Sequence, residues 1–341
     1  MSNRFFNYVD AQGPQGLTGP QGPQGPAGVL SPGNIWTVRF VPAQNVWRGL
    51  AYSKELLRVV AVSQTGTGNR VTYSNDGGLT WTTGVSPADN TWLSVAWSPT
   101  LSLFVAVATT GVGNRVMRSS DGINWTIGVS AADNDWVNVI WCGGTVNRFV
   151  ACSVTGVGNR IMYSNDGINW ILGTSAADNN WRGMAFNPVT NRIVAVANSG
   201  TGNRVMTSDD GGATWSIQVS PANNNWMSVT WANTLGLYVA VASSGTGNRA
   251  MYSANGVSWS LGISASDQAW VSVIWNEDLG MLMAVGGVST QFMSMVSYDG
   301  IVWTTRFTTP NLSPSAVVWA KEFNRFIAIS SGGTQANAMV S

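Results

Sequence analysis

Apolar and polar positions alternate along this chain in short blocks. In one stretch Trp92 to Trp97 (WLSVAW) is followed by the apolar run Leu103 to Ala108 (LFVAVA). Arg115 to Ser119 (RVMRS) and Asn124 to Ser130 (NWTIGVS) come next, with Gly, Asn, Asp or Ser turns between blocks. Short runs rich in β-branched and aromatic residues, bounded by such turns, predict β-strands, and the apolar run suits a central strand. No stretch sustains a helical period.

The pattern returns every 44 or 45 residues, and the 18 tryptophans mark it. Trp36, Trp81, Trp125, Trp170, Trp215, Trp259 and Trp303 form one series. Trp47, Trp92, Trp136, Trp181, Trp226 and Trp270 form a second, 11 residues further on. A third runs Tyr52, Trp97, Trp141, Phe186, Trp231, Trp275 and Trp319. Four strands per unit and seven units predict an all-β, seven-bladed β-propeller of four-stranded blades over residues 31–341. The last unit stops at Met339-Val340-Ser341, after its third strand, while Ile35 to Phe40 is surplus at the front. The front segment is expected to supply the missing strand and close the ring, so truncating either end should open it.

Composition narrows the chemistry. With 44% hydrophobic and 10% charged residues the chain is globular rather than disordered. A net charge of +1 creates no field for gathering phosphates, so nucleic acid is not an expected partner. There is no histidine, which removes Ser-His-Asp and Cys-His catalysis and histidine-ligated metal sites. No metal or cofactor is expected. No apolar run approaches the roughly 18 residues of a membrane span, so membrane insertion is not expected. Residues 1–10 lack a signal-peptide apolar core, so classical secretion is not expected either. Cys142 and Cys152 occupy the positions of Ser98 and Val107 and read as ordinary strand residues, not a disulfide framework.

Between third and fourth strands lie Ser74-Asn75-Asp76-Gly77-Gly78-Leu79-Thr80-Trp81 and its counterpart Ser208 to Trp215. Shorter versions are Ser119 to Trp125, Ser164 to Trp170, Ser253 to Trp259 (with Asn255 in place of Asp) and Ser297 to Trp303. Asp76, Asp121, Asp166, Asp210 and Asp299 are read as structural. Each carboxylate accepts N–H groups of its own turn, Gly supplies a positive φ, and Trp covers the apolar side. The motif resembles the Asp-box, or bacterial neuraminidase repeat, of sialidase-like and sortilin-like propellers. That resemblance implies a fold device set away from any active site. Sialidase chemistry needs an arginine cluster, a tyrosine nucleophile with a glutamate partner, and an acid/base aspartate. The Arg-Ile-Pro type motif that opens such enzymes is absent. The three glutamates, Glu55, Glu277 and Glu322, fall in turns on the Asp-turn face rather than the usual ligand face. A glycosidase needs two carboxyl groups at one substrate. The chain is therefore expected not to be an enzyme, and a sialidase-like glycosidase is the least favoured reading.

Two loop types belong to the other face. Gly-x-Gly-Asn-Arg ends in Arg70, Arg115, Arg160, Arg204 and Arg249, and the loops before the first strands read Asp89-Asn90-Thr91-Trp92, Asp133-Asn134-Asp135-Trp136, Asp178-Asn179-Asn180-Trp181, Asn223-Asn224-Asn225-Trp226 and Asp267-Gln268-Ala269-Trp270. Guanidinium, carboxylate, amide and indole side by side suit a sugar, so Arg70, Asp89, Asn90, Trp92, Arg115, Asp133, Asn134, Trp136, Arg160, Asp178, Asn179, Trp181, Arg204, Trp226 and Arg249 are candidate ligand-binding residues. The alternative is plain turn chemistry, with each Arg pairing to the Asp of a neighbouring loop. Blades six and seven lose the motif, which leaves five sites at most.

Residues 13–28 place glycine at every third position. Only glycine fits at the axis of three wound chains, so this predicts a collagen-like triple helix and a homotrimer; a single-chain spacer is the alternative. Ahead of it, residues 1–12 carry Phe5, Phe6 and Tyr8, too few for a core and suited to anchoring on a partner. Tail peptide, thin trimeric stalk and β-rich head together resemble a viral or phage receptor-binding fibre. The resemblance implies docking to a capsid or tail protein, a place on the virion surface after assembly in the host cytoplasm, and heads that meet a host-surface glycan or receptor. Bacterial spore filaments share this plan, so a structural surface decoration without a ligand is the alternative.

Overall fold

The computed structural model describes residues 32–287, 292–307, 312–332 and 338–341. The anchoring peptide 1–12 and the glycine-periodic stretch 13–28 lie outside the described residues. Those described form one unit, Pro32–Ser341.

The chain builds seven antiparallel four-stranded sheets. Blade one comprises β2 (Trp47–Ser53), β3 (Arg58–Ser63), β4 (Val71–Ser74) and β5 (Thr82–Gly84). Blade two repeats it with β6 (Trp92–Ser98), β7 (Leu103–Ala108), β8 (Val116–Ser119) and β9 (Thr126–Gly128). The first two strands of that blade follow the sequence pattern closely, and the fourth is shorter than expected because Trp125 belongs to the turn. Blades three to six span 136–173, 181–218, 226–262 and 270–307. The seventh joins β26 (Pro314–Ala320), β27 (Arg325–Ser330) and β28 (Ala338–Val340) to β1 (Thr37–Arg39), in the order β1-β28-β27-β26. Thr37 faces Val340 and Arg39 faces Ala338. The surplus front segment therefore does close the ring.

The apolar second strand of each blade is buried on both faces, and neighbouring blades share one apolar cluster. Between blades one and two, Val60 and Val62 meet Trp92, Phe104, Met117 and Trp125. Full burial of each such side chain contributes about 1.5–3 kcal/mol, so the seams between blades hold the ring. Every innermost strand carries one register shift directly after its first residue, from Trp47/Gly49 in blade one to Pro314/Ala316 in blade seven. Such a bulge re-aims one side chain, and here it decides which residues line the central channel.

The Asp turns have the geometry their sequence predicts. Asp121 Oδ1 accepts the N–H groups of Ile123 and Asn124, both at 2.8 Å, and the Ser119 hydroxyl donates to the same oxygen. In the longer turn Asp76 accepts Thr80 N–H at 2.9 Å and the Thr80 hydroxyl at 2.5 Å. Gly122 has φ +72°, and a Cβ there would lie 2.6 Å from Val60 of the adjacent blade. Partial burial raises the carboxyl pKa values, but the turn donors outweigh it and hold Asp121 and Asp166 at about 2. The same balance lowers Asp76, Asp210 and Asp299. Cys142 and Cys152 are free and fully buried, and burial raises both thiols, Cys152 to about 12.

Candidate functional site

The face opposite the Asp turns holds both loop types, and their polar groups satisfy one another. Asn90 Nδ2 donates to the carbonyl of Asn114 at 2.8 Å, within blade two. Asn45, Asn134, Asn179 and Asn224 make the same bond to Asn69, Asn159, Asn203 and Asn248. The neighbouring aspartate reaches the other way. Asp89 accepts Gly68 N–H of blade one at 2.7 Å and lies 3.6 Å from Arg70, while Asp133, Asp178 and Asp267 repeat this at the seams entering blades three, four and six. In blades two to four an Asp-Asn pair thus latches the blade to the one before, with Asn223-Asn224 in blade five and Asp267 in blade six serving the same seam contact. Gly111 is obligatory in this packing: its φ is +107°, and a Cβ would lie 2.1 Å from Asn114 Oδ1 and 2.5 Å from Asn90 Nδ2.

This geometry corrects part of the sugar-binding set. Trp92, Trp136, Trp181 and Trp226 are fully buried, and their indole N–H groups donate to Ala88, Ala132, Ala177 and Ala222. A ring with no exposed face cannot stack on a pyranose. Asn90, Asn134 and Asn179 are buried and occupied as well. Arg70, Arg115, Arg160 and Arg249 each spend Nε on a loop carbonyl and pair with an aspartate. Arg204 faces Asn223 instead of Asp and bonds Gly200 O, Asn224 O and Asn225 Oδ1. What remains outward is Asp89, Asp133 and Asp178, each about 40% exposed, and the loop tips Thr67, Val112, Val157, Thr201 and Thr246.

The same face opens onto the central channel, a cavity of about 590 Å³ lined by residues of all seven inner strands. The bulge places the second residue of each inner strand at its mouth. Two of these are arginines, Arg48 in blade one and Arg182 in blade four; Leu93, Val137, Met227, Val271 and Ser315 take the other positions. Arg48 Nε donates to Gln64 Oε1 at 2.8 Å. In blade four the equivalent acceptor is Asn198, one methylene shorter. There Arg182 Nε and Asn198 Oδ1 are both buried without a hydrogen-bond partner. Desolvation by burial lowers the pKa of both guanidinium groups. None of the described residues lining the cavity is acidic. Sequence reasoning missed these two residues, although the signal was present: a charge in a repeat column otherwise filled by Leu, Val, Met and Ser.

At the other mouth the third aromatic series stands half-buried at the ends of the inner strands. Trp97 Nε1 donates to Glu55 at 2.9 Å, the Tyr52 hydroxyl to Glu322 at 2.6 Å, and Trp319 Nε1 to Asp278 at 2.8 Å. Glu277 accepts from Asn233, which in turn accepts from Trp275. Glu55 and Glu322 therefore fasten aromatic side chains of adjoining blades, while Glu277 of blade six holds Asn233 of blade five.

No family model matches this chain, and no curated protein is significantly similar in sequence. Solved structures share its fold. A structure described as YCF48 bound to D1 peptide aligns with a TM-score of 0.66 at 14% identity, over 92% of this chain and 96% of that one. YCF48 from Cyanidioschyzon merolae gives 0.64 at 15% identity, over 89% and 97%. The β-propeller domain of Myceliophteria thermophila Cps50 (Swd1) gives 0.63 at 9% identity, over 89% and 99%. At such identities the likeness establishes a seven-bladed propeller and nothing about activity.

Proposed function

We propose that this chain is a non-enzymatic attachment protein of a virion surface. Residues 1–12 dock on a capsid or tail protein, residues 13–28 join three chains, and the propeller is the recognition head for a host-surface glycan or receptor. The observation that carries this reading is where the described chain enters the ring. Gly33 N–H donates to the Ser341 hydroxyl beside β1 and β28, at the Asp-turn side of blade seven. The opposite face carries five like loops with exposed tips. In this reading the Ser-x-Asp-Gly turns are Asp-boxes serving only the fold. A face pre-shaped by its own latches loses little entropy on binding, and three heads on one stalk add avidity.

The test is a glycan array and a host-cell binding assay with the full-length chain. Retention of one glycan class, weakened by Arg115→Ala, is the expected result; no binding to any glycan or cell surface sinks the reading. Turnover of a fluorogenic sialoside would overturn the non-enzymatic part. A solution mass of three chains that falls to one on removal of residues 1–30 supports the stalk, and one chain in both cases refutes it. The second reading, a surface decoration without ligand, is favoured by the mutual satisfaction of the loop polar groups, and the same array separates the two.

A further inference from the structure

We infer that the central channel is a binding site for a small organic carboxylate, held between Arg48 and Arg182 at the mouth on the latched-loop face. The two arginines stand three blades apart in a ring of seven, nearly opposite one another across the channel. Between them the mouth is mostly apolar: Leu93 and Val137 on one arc, Met227, Val271 and the single polar Ser315 on the other. A carboxylate has two oxygens, each able to accept from a guanidinium, and charge-assisted bonds of this kind are about twice as strong as neutral ones. The cavity, at about 590 Å³, falls in the range of small-molecule sites, roughly 300–1,000 Å³.

Three features set this mouth apart from the latches, the first of them at Arg182 alone. Each of those has loop acceptors, whereas Arg182 makes no hydrogen bond or ion pair among the described residues, and its Nε is buried. A buried guanidinium Nε with no acceptor is costly, and an anion removes that cost. Among the described residues no acidic side chain lines the cavity, and the segments 288–291, 308–311 and 333–337 contain no Asp or Glu. Both arginines are followed by glycine. A Cβ on Gly49 or Gly183 would stand 2.9 Å from the Ser94 or Ser228 backbone of the adjacent inner strand. Glycine thus follows both channel arginines, where the other five blades carry Ser, Asn or Ala.

Partly apolar walls select an anion with a short hydrocarbon body rather than a bare one. Calorimetric titration of the full-length protein with hexanoate, hexanamide and inorganic phosphate at pH 7 tests the assignment. Hexanoate is expected to bind at least tenfold more tightly than hexanamide. Arg182→Met and Arg48→Met keep the aliphatic stems and are each expected to lose tenfold or more, with Arg182→Lys recovering part of the loss at an unchanged melting temperature. Equal binding of acid and amide overturns the inference. So does hexanoate binding that neither methionine substitution alters, or binding of phosphate with no affinity for hexanoate. The attachment reading does not depend on any of these outcomes.

Discussion

Five seams of the ring, from the one between blades one and two to the one between blades five and six, carry the polar latch on the loop face. Among the described residues, the seam between blades six and seven shows no such latch. There Phe292 stands where blades one to five have the asparagine of the Gly-x-Gly-Asn-Arg loop, and Leu312 where they have the latch asparagine. Both belong to an apolar cluster with Met283, Phe326 and Trp36, whose ring lies 5.0 Å from that of Phe292. The two regions show that one backbone arrangement can be locked in two ways. Polar latches are directional and must be complete, because a missing partner leaves a buried amide or guanidinium unpaired. An apolar seam needs only volume, and it coincides with the place where the first and last strands of the chain meet.

The comparison can be broken most severely at the apolar seam. Trp36→Ala removes the largest side chain that the front segment contributes and is expected to cost about 3–5 kcal/mol, read by urea unfolding. Equal stability to the parent would mean that β1 is dispensable. At a latch, Asn134→Ala strands the Asn159 carbonyl and should cost about 1–3 kcal/mol. Gln268, which replaces that asparagine in blade six and whose Oε1 has no partner, should tolerate Ala with almost no loss. Similar losses at both positions would refute the latch.

Acid separates charged from neutral devices on the other face. The folded carboxyls of Asp121 and Asp166 lie at about 2, below the unfolded value near 3.9. Their contribution is therefore complete above the unfolded value and is lost as pH falls from about 4 through 2. In blade five Asn255 Oδ1 accepts the N–H groups of Val257 and Ser258, both at 2.9 Å, without a charge. Amide protection over 119–125 should fall in that window while protection over 253–259 holds, and parallel loss would refute the assignment. The smallest effect is expected from Asn223→Asp, which supplies Arg204 with the carboxylate its counterparts have. Such a partly exposed pair should add no more than about 1 kcal/mol and fade with added salt. A gain that persists in molar salt would point to another cause.

Much of this was readable in the chain. Periodic tryptophans set the blade count, turn residues placed the strands, and the surplus Ile35 to Phe40 announced the closure. The latch could have been read as well, since the asparagine before the second-series tryptophan and the Gly-x-Gly-Asn loop disappear together at Gln268 and Leu312. The indole of Trp92 was misplaced for a physical reason. Its ring fills the seam between blades one and two with Val60, Val62 and Phe104, contacts that no local spacing in the sequence displays.

The sequence by itself determined the repeat, the β-class, the ring of seven and the chemistry of the Asp turns, because these depend on short-range propensity and spacing. Only the tertiary structure decided that five loops close on one another, that Glu55 and Glu322 hold aromatic side chains of adjoining blades, and that Arg48 and Arg182 share one channel. Those relations join residues more than forty or a hundred positions apart, and they exist only once blades pack side by side.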